Sequence, residues 1–249
     1  MNSSGKYQDK ETIAIWNNLS EQYDPTNYWE GYDNQANLKI LLSHIGQPRK
    51  KRIIEVGCGS GLISLALGKL GAECAILDIS SVALKGAIDG FLKSGLSEPE
   101  CYNEDALSNS VPSNSFDVTW NGGVIEHFYD NGKELLLKEM YRMTKPGGKV
   151  IILVPNAWCL PFKIVQIWKK FRKDWAYGYE DDMSPRRLRK MCIRLGLTNI
   201  EAYAFNTVVG WAWIPRIGFS IMQRFGRNTL ECHCRHSRMG FVSVLVIKK

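Results

Sequence analysis

The sequence contains no apolar run of about 18 residues, the length that a bilayer-spanning helix needs. Residues 1–10 are polar and carry no apolar segment of the kind found in a secretory leader. Histidine is scarce, at four residues, and no two cysteines are separated by two intervening residues, so the pair spacing that holds structural zinc is missing. The one dense Cys/His run, Cys232-His233-Cys234-Arg235-His236, reads as an ordinary loop or strand edge, and no metal site is expected. Seven cysteines are scattered and odd in number, which fits reduced thiols in a cytoplasmic protein. There are no internal repeats and no low-complexity segment.

What is present is enough apolar residue for one substantial core. With 249 residues and 45% hydrophobic content, the chain reads as a single α/β domain, 1–249. Its charge is uneven. Residues 1–154 hold 15 basic and 19 acidic side chains, whereas residues 155–249 hold 17 basic and 6 acidic, and five of the eight tryptophans lie in this second part. A basic, aromatic second part points to a partner that is acidic, apolar or both.

Residues 53–61 read Ile-Ile-Glu-Val-Gly-Cys-Gly-Ser-Gly, followed by an apolar-periodic helix. A short β-branched run ending in glycines and opening a helix makes a pocket for a polar cofactor, because glycine lets a ligand approach the backbone and the helix start offers free N–H groups. The dinucleotide pattern G-x-G-x-x-G is not met; the spacing is G-x-G-x-G. Glu55 would repel a pyrophosphate, but not an ammonium or a sulfonium.

Further strand ends follow in order: Ala75-Ile76-Leu77-Asp78, then Cys101 to Ala106 with Glu104 and Asp105 adjacent, then Phe116 to Asn121 running into Gly122-Gly123-Val124-Ile125-Glu126-His127-Phe128, then Lys145-Pro146-Gly147-Gly148 before an apolar run. This succession resembles the motifs of the class I S-adenosylmethionine-dependent methyltransferases. The resemblance covers residues 53–154 closely and the remainder only by topology. It implies S-adenosylmethionine as cofactor, with Glu55, Gly57, Gly59, Gly61, Asp78, Ile79, Asp105, Ala106 and Asn121 around it. Tyr23 is added because Trp16 and Tyr23-Asp24 resemble the family's aromatic and Tyr-Asp pair. Asp78 sits where the family places its ribose-binding carboxylate, although Ser80 and Ser81 also make it part of a helix start. Asp105 is preferred over Glu104 for the adenine. His127, with Glu126 as second choice, is the candidate general base; the alternative for His127 is a helix-start histidine bonded to backbone.

The expected fold is doubly wound, with a mostly parallel seven-stranded sheet and an antiparallel last strand at an edge, plus N-terminal helices and two cap-like insertions. Residues 11–45 form the helical lid, 50–154 the cofactor core, and 155–183 and 206–240 the insertions. Ser184 and Pro185 open a helix that stops at Gly196. Both insertions are amphipathic. Ile164, Ile167, Trp168 and Phe171 share one face of the first, and Ile214, Ile217, Ile221 and Phe225 one face of the second, with basic residues elsewhere. Such faces either pack inward, cap an apolar substrate, or lie on a membrane surface. Trp168, Trp211 and Trp213 are the expected wall of the substrate cap.

The expected activity is methyl transfer to a small-molecule acceptor, aromatic or lipid-like. The alternatives are methyl transfer to RNA or protein, or a non-catalytic cofactor-binding module. The basic run Arg186-Arg187-Leu188-Arg189-Lys190 is the one feature favouring nucleic acid. Against it, Asn121-Gly122-Gly123-Val124 stands where amino-methylating nucleic-acid enzymes carry Asn/Asp-Pro-Pro-aromatic.

Overall fold

Short β-branched runs alternate with helical stretches, and each run becomes a strand of one sheet. The computed structural model describes residues 10–21, 32–175, 177–206, 210–211, 213–214, 220 and 238–249. Its strands are β1 (Arg52–Val56), β2 (Glu73–Leu77), β3 (Glu100–Tyr102), β4 (Phe116–Gly122), β5 (Thr144–Pro155), β6 (Ile200–Phe205) and β7 (Val242–Lys248). They pair in the order β3-β2-β1-β4-β5-β7-β6, with β7 antiparallel to both neighbours and the other pairings parallel.

The helices are α1 (Lys10–Glu21), α2 (Tyr32–Ile45), α3 (Leu62–Lys69), α4 (Ser81–Lys93), α5 (Asp130–Met143), α6 (Leu160–Phe171) and α7 (Pro185–Arg194). They cover both faces of the sheet. Ile40, Leu41, Leu67 and Phe162 pack with Ile53, Trp120 and Val244 on one face. Leu136, Met140, Leu188 and Met191 pack with Ile54, Ile152 and Leu245 on the other. Because both faces are covered, β5 and β7 carry nearly continuous apolar runs rather than alternating ones. No described helix is long and apolar enough to cross a membrane.

Three details differ from the sequence expectation. The last strand is not at an edge: β7 is hydrogen-bonded on both sides and β6 forms the edge. Its Val-Ser-Val-Leu-Val-Ile run is buried throughout and needs cover on both flanks. Strand β5 begins at Thr144, before the Lys145-Pro146-Gly147-Gly148 turn, and the turn appears as a register shift opposite Phe116 and Val118. Strand β3 stops at Tyr102, leaving Asp105 in a turn bridged to Ser108.

The helix starts follow local chemistry. Ser80 caps α4 by accepting from the Ala83 N–H at 3.1 Å, and Ser184 caps α7 from Arg187 at 3.3 Å, with Pro185 in the first turn. The sheet order reverses between β1 and β4, and in open α/β sheets ligands bind at such a crossover, beyond the carboxyl ends of the strands.

Candidate functional site

Beyond Val56 the chain turns into α3 through Gly57, Gly59 and Gly61, whose φ values are +71°, +49° and +63°. The turn is tight for a reason visible at Gly57. A Cβ there would lie 2.6 Å from Val124 Cγ2, so only glycine lets the loop after β1 meet the loop after β4. Gly61 serves packing: a Cβ there would lie 2.7 Å from the Ala87 Cβ of α4. Backbone ties fix the loop to β2. Gly57 and Cys58 N–H donate to the Leu77 carbonyl at 2.7 and 3.1 Å, and Gly59 N–H donates to Asp78 Oδ2 at 2.9 Å.

A cavity of about 350 Å³ lies over this crossover. At one end it is bordered by Glu55, Gly57, Gly59, Asp78, Ile79, Asp105 and Ala106. Glu55, next to the last residue of β1, is a buried carboxyl that accepts a hydrogen bond from Ser64 Oγ. Burial pushes it up to about 8, against which the Ser64 bonds act only partly. A carboxyl so placed favours a cation beside it. Asp78 is also raised by burial, and its Oδ1 accepts from Ser80 N–H at 2.9 Å. Asp105 borders the cavity, while its neighbour Glu104 turns out to bind Ser110.

The other end is bordered by Trp16, Asn34, Asn37, Trp120, His127, Phe128, Leu153, Pro155, Phe241 and Val242. His127 follows β4 on a single 3-10 turn, Ile125–His127. Its Nδ1 lies 2.9 Å from the Tyr179 carbonyl, and its ring meets the edge of Trp16 at 4.8 Å. Burial lowers its pKa to about 4, so it is neutral at neutral pH.

Three expected site residues are not on the cavity: Gly61, which packs on α4, Asn121 and Glu126. Asn121 faces the opposite side of the sheet, where Nδ2 meets Met140 Sδ at 3.2 Å. Strand side chains alternate, and Trp120 and Gly122 take the cavity side. Glu126 is fully buried with Oε2 lacking a hydrogen-bond partner, and burial pushes its carboxyl well above the ordinary range. Tyr23, most of 206–240 and the Cys232–His236 run lie outside the described residues.

The structure adds a strap over His127 that no sequence motif announced. Residues 179–183 cross the turn after β4. Asp181 N–H donates to the Glu126 carbonyl at 2.9 Å and Met183 N–H to the Pro155 carbonyl at 3.1 Å. The strap is anchored by charge: the fully buried Lys133 Nζ sits 2.5 Å from Asp181 Oδ2, and Arg187 Nη1 lies 2.7 Å from Asp181 Oδ1. Burial alone would raise the Asp181 carboxyl, but the bonds from Arg187 and Lys133 hold it below the ordinary range. The one available signal was Glu180-Asp181-Asp182, half of the 6 acids in residues 155–249.

Of the three tryptophans expected in the wall, none borders the cavity. Trp213 stands behind it, 5.2 Å from Phe162 and 5.9 Å from Phe241, which does border it. Trp168 and Trp211 are exposed.

Comparisons with known proteins agree with this geometry. The family model described as "Methyltransferase domain" matches residues 54–152. A ubiquinone biosynthesis O-methyltransferase from Idiomarina loihiensis is 30% identical over 219 residues, covering 84% of this chain and 89% of that protein. A chloroplastic tocopherol O-methyltransferase from Arabidopsis thaliana is 35% identical over 111 residues, covering 44% of this chain and 30% of that longer protein. Among solved structures, the geranyl diphosphate C-methyltransferase of Streptomyces coelicolor, bound to S-adenosyl-L-homocysteine, shares the fold, with a TM-score of 0.60 at 14% identity over 86% of this chain and 78% of that one. The chain belongs to the class I S-adenosylmethionine-dependent methyltransferases.

Proposed function

We propose that this enzyme methylates an oxygen of a small, largely apolar acceptor, and that His127 takes the hydroxyl proton. The observation that carries this reading is the bond between His127 and Tyr179. A carbonyl only accepts, so Nδ1 bears the proton and Nε2 keeps its lone pair for the cavity. The two relatives named above are O-methyltransferases, which supports an oxygen acceptor. An oxygen acceptor with a proton to lose needs a base, unlike a thioether.

S-adenosylmethionine supplies a methyl group activated by the sulfonium that bears it. The residues around the first end of the cavity suit such a molecule. In this reading Glu55 pairs with an ammonium, which would bring its raised pKa down. Asp78 receives the ribose hydroxyls on the lone pairs that the Gly59 and Ser80 N–H groups leave free. Asp105, with Ile79 and Ala106 beside it, takes the adenine. At the second end Trp16, Phe128, Leu153 and Phe241 exclude water and orient the acceptor. As the new O–C bond forms, the hydroxyl proton passes to Nε2 of His127. Residues 155–183, with the described part of 206–240, cover this end from behind.

A nucleic-acid acceptor is less well supported, because two of the four basic residues of the run on α7 are committed within the protein. Arg187 binds Asp181 and Asp130, and Arg189 binds the Ile200 carbonyl.

The test is methyl transfer to phenols with and without an alkyl tail, read by mass spectrometry of the product. A methyl ether is the expected product, formed faster from the tailed phenols. His127→Ala should lower turnover by about 10²–10⁴-fold with cofactor affinity little changed. Unchanged turnover would return His127 to a structural role.

A further inference from the structure

Helix α6 is apolar on two sides. Its inner side buries Phe162 and Val165, and the Phe162 ring lies 5.0 Å from Phe241, a wall of the cavity. Its outer side carries Leu160, Ile164, Ile167, Trp168 and Phe171, which are 58, 58, 65, 47 and 87% exposed. These positions follow the spacing of one helical face. Trp158, just before the helix, is half exposed as well. The stripe therefore faces outward, because Phe162 and Val165 fill the inner side. A contiguous exposed apolar face of this kind marks an interaction surface.

Charge narrows the choice of partner. Residues 155–173 contain Lys163, Lys169, Lys170, Arg172 and Lys173 and no acid. Lys163 turns inward to pair with Asp182. The remaining four gather at the carboxyl end of the helix. Lys169 lies over the Trp213 ring, Lys170 over Trp175, and Arg172 over Trp168 at 4.9 Å, and Arg172 also pairs with Asp174. An apolar face with indole and phenyl rings, edged by cations, complements a surface that is apolar within and anionic at its boundary.

We propose that the outer face of α6 docks this enzyme on an anionic phospholipid bilayer, with the helix lying along the surface. At 12 residues it is about 18 Å long, suited to lying in an interface and too short to cross a bilayer. Its inner side would then back the acceptor end of the cavity one helix away from the lipid. The proposal goes beyond the acceptor reading and does not require it, since docking is measured with no acceptor present.

The experiment is sedimentation of the purified full chain with vesicles of phosphatidylcholine alone and of phosphatidylcholine mixed with phosphatidylglycerol. Binding is expected to the mixed vesicles, and it should weaken as salt is raised. The double variant Ile167→Ser/Phe171→Ser should bind roughly tenfold or more weakly, with melting temperature and cofactor affinity unchanged because both side chains are exposed. Lys173→Glu should reduce both the binding and its salt dependence. The proposal is overturned if the wild type stays in the supernatant with both vesicles, binds both equally, or binds no better than the double variant. It is also overturned if the wild type ignores vesicles and instead forms a dimer that the double variant splits, in which case a second copy covers the face.

Discussion

At one end of the cavity Glu55, Asp78 and Asp105 come from three strand exits that follow one another within residues 55–106. At the other end Trp16, Asn34, His127, Leu153 and Phe241 are gathered from almost the whole length of the chain. The first end is held from the backbone: Gly57 N–H donates to the Leu77 carbonyl, and Gly59 N–H donates to the Asp78 carboxylate across 19 residues. The second is held by side chains that reach farther: His127 to Tyr179 across 52 residues and Lys133 to Asp181 across 48. A cofactor common to many enzymes can be met by a local, backbone-built cradle. The acceptor, which differs between relatives, is met by parts that vary independently. The two ends should therefore respond to mutation in different ways.

The largest effect is expected at the glycine turn. Gly57→Val would place a branched side chain at φ +71° and against Val124. Strain and overpacking together should cost about 2–5 kcal/mol and remove measurable cofactor binding. Thermal melts and calorimetric titration with S-adenosylhomocysteine check this. Normal binding by the variant would show that the turn does not shape the first end.

Next comes the strap. Asp181→Asn leaves the fully buried Lys133 ammonium without its near partner, with only Asp130 at 3.9 Å. Breaking a buried pair on one side costs about 3–5 kcal/mol, and the partial exposure of Asp181 lowers this to about 2–4. Lys133→Met removes the buried charge itself and should cost less. A denaturant series that ranks the two in the opposite order would contradict the anchoring role. At the site, Asp181→Asn should lower turnover through His127 while leaving cofactor affinity alone.

The smallest effect is a pH dependence of stability that belongs to the first end. Glu55 rises from the ordinary 4.5 to about 8 by burial, so between these values the folded protein keeps a proton that the unfolded chain has lost. The stability from this group is full below 4.5 and falls as pH rises to 8. His127, lowered from 6.5 to about 4, gives the opposite slope between those values, so the clean window runs from 6.5 to 8. Glu126, raised by burial, adds to the same decline. At 1.36 kcal/mol per unit, Glu55 contributes a loss of about 2 kcal/mol across the window. Melting curves at the two pH values should show the loss in the wild type, less of it in Glu55→Gln, and less again with cofactor bound. A flat wild-type profile would mean that Glu55 is ionised in the free protein.

The same contrast explains what could be read from the sequence. Residues 53–106 announced their strands, their glycines and their carboxylates, because each lies at a strand exit a few residues from its partners. Asp105 borders the cavity and Glu104 does not. Asn121 lies off the cavity because the motif marks the end of β4 but not its face: Val118 and Trp120 take one side, and Thr119 and Asn121 take the other, where both bond to Met140. The α6 stripe stayed open between packing inward and facing outward for a related reason: two apolar faces on one helix, and no local signal of which one meets the core. The strap residues Tyr179 and Asp181 carry no motif, and their importance arises only when folding brings them over His127. The interior position of β7 likewise depends on β6 pairing beyond it.

The most direct measurement is a paired one, cofactor Kd and saturated kcat for Asp78→Ala and His127→Ala side by side. If the two ends act separately, Asp78→Ala weakens cofactor binding by about 1.5–3 kcal/mol, roughly tenfold to a hundredfold, and leaves saturated kcat within a few-fold. His127→Ala then lowers kcat about a hundredfold or more and leaves Kd nearly unchanged. If both substitutions move the same quantity, the division of the cavity into a donor end and an acceptor end is wrong.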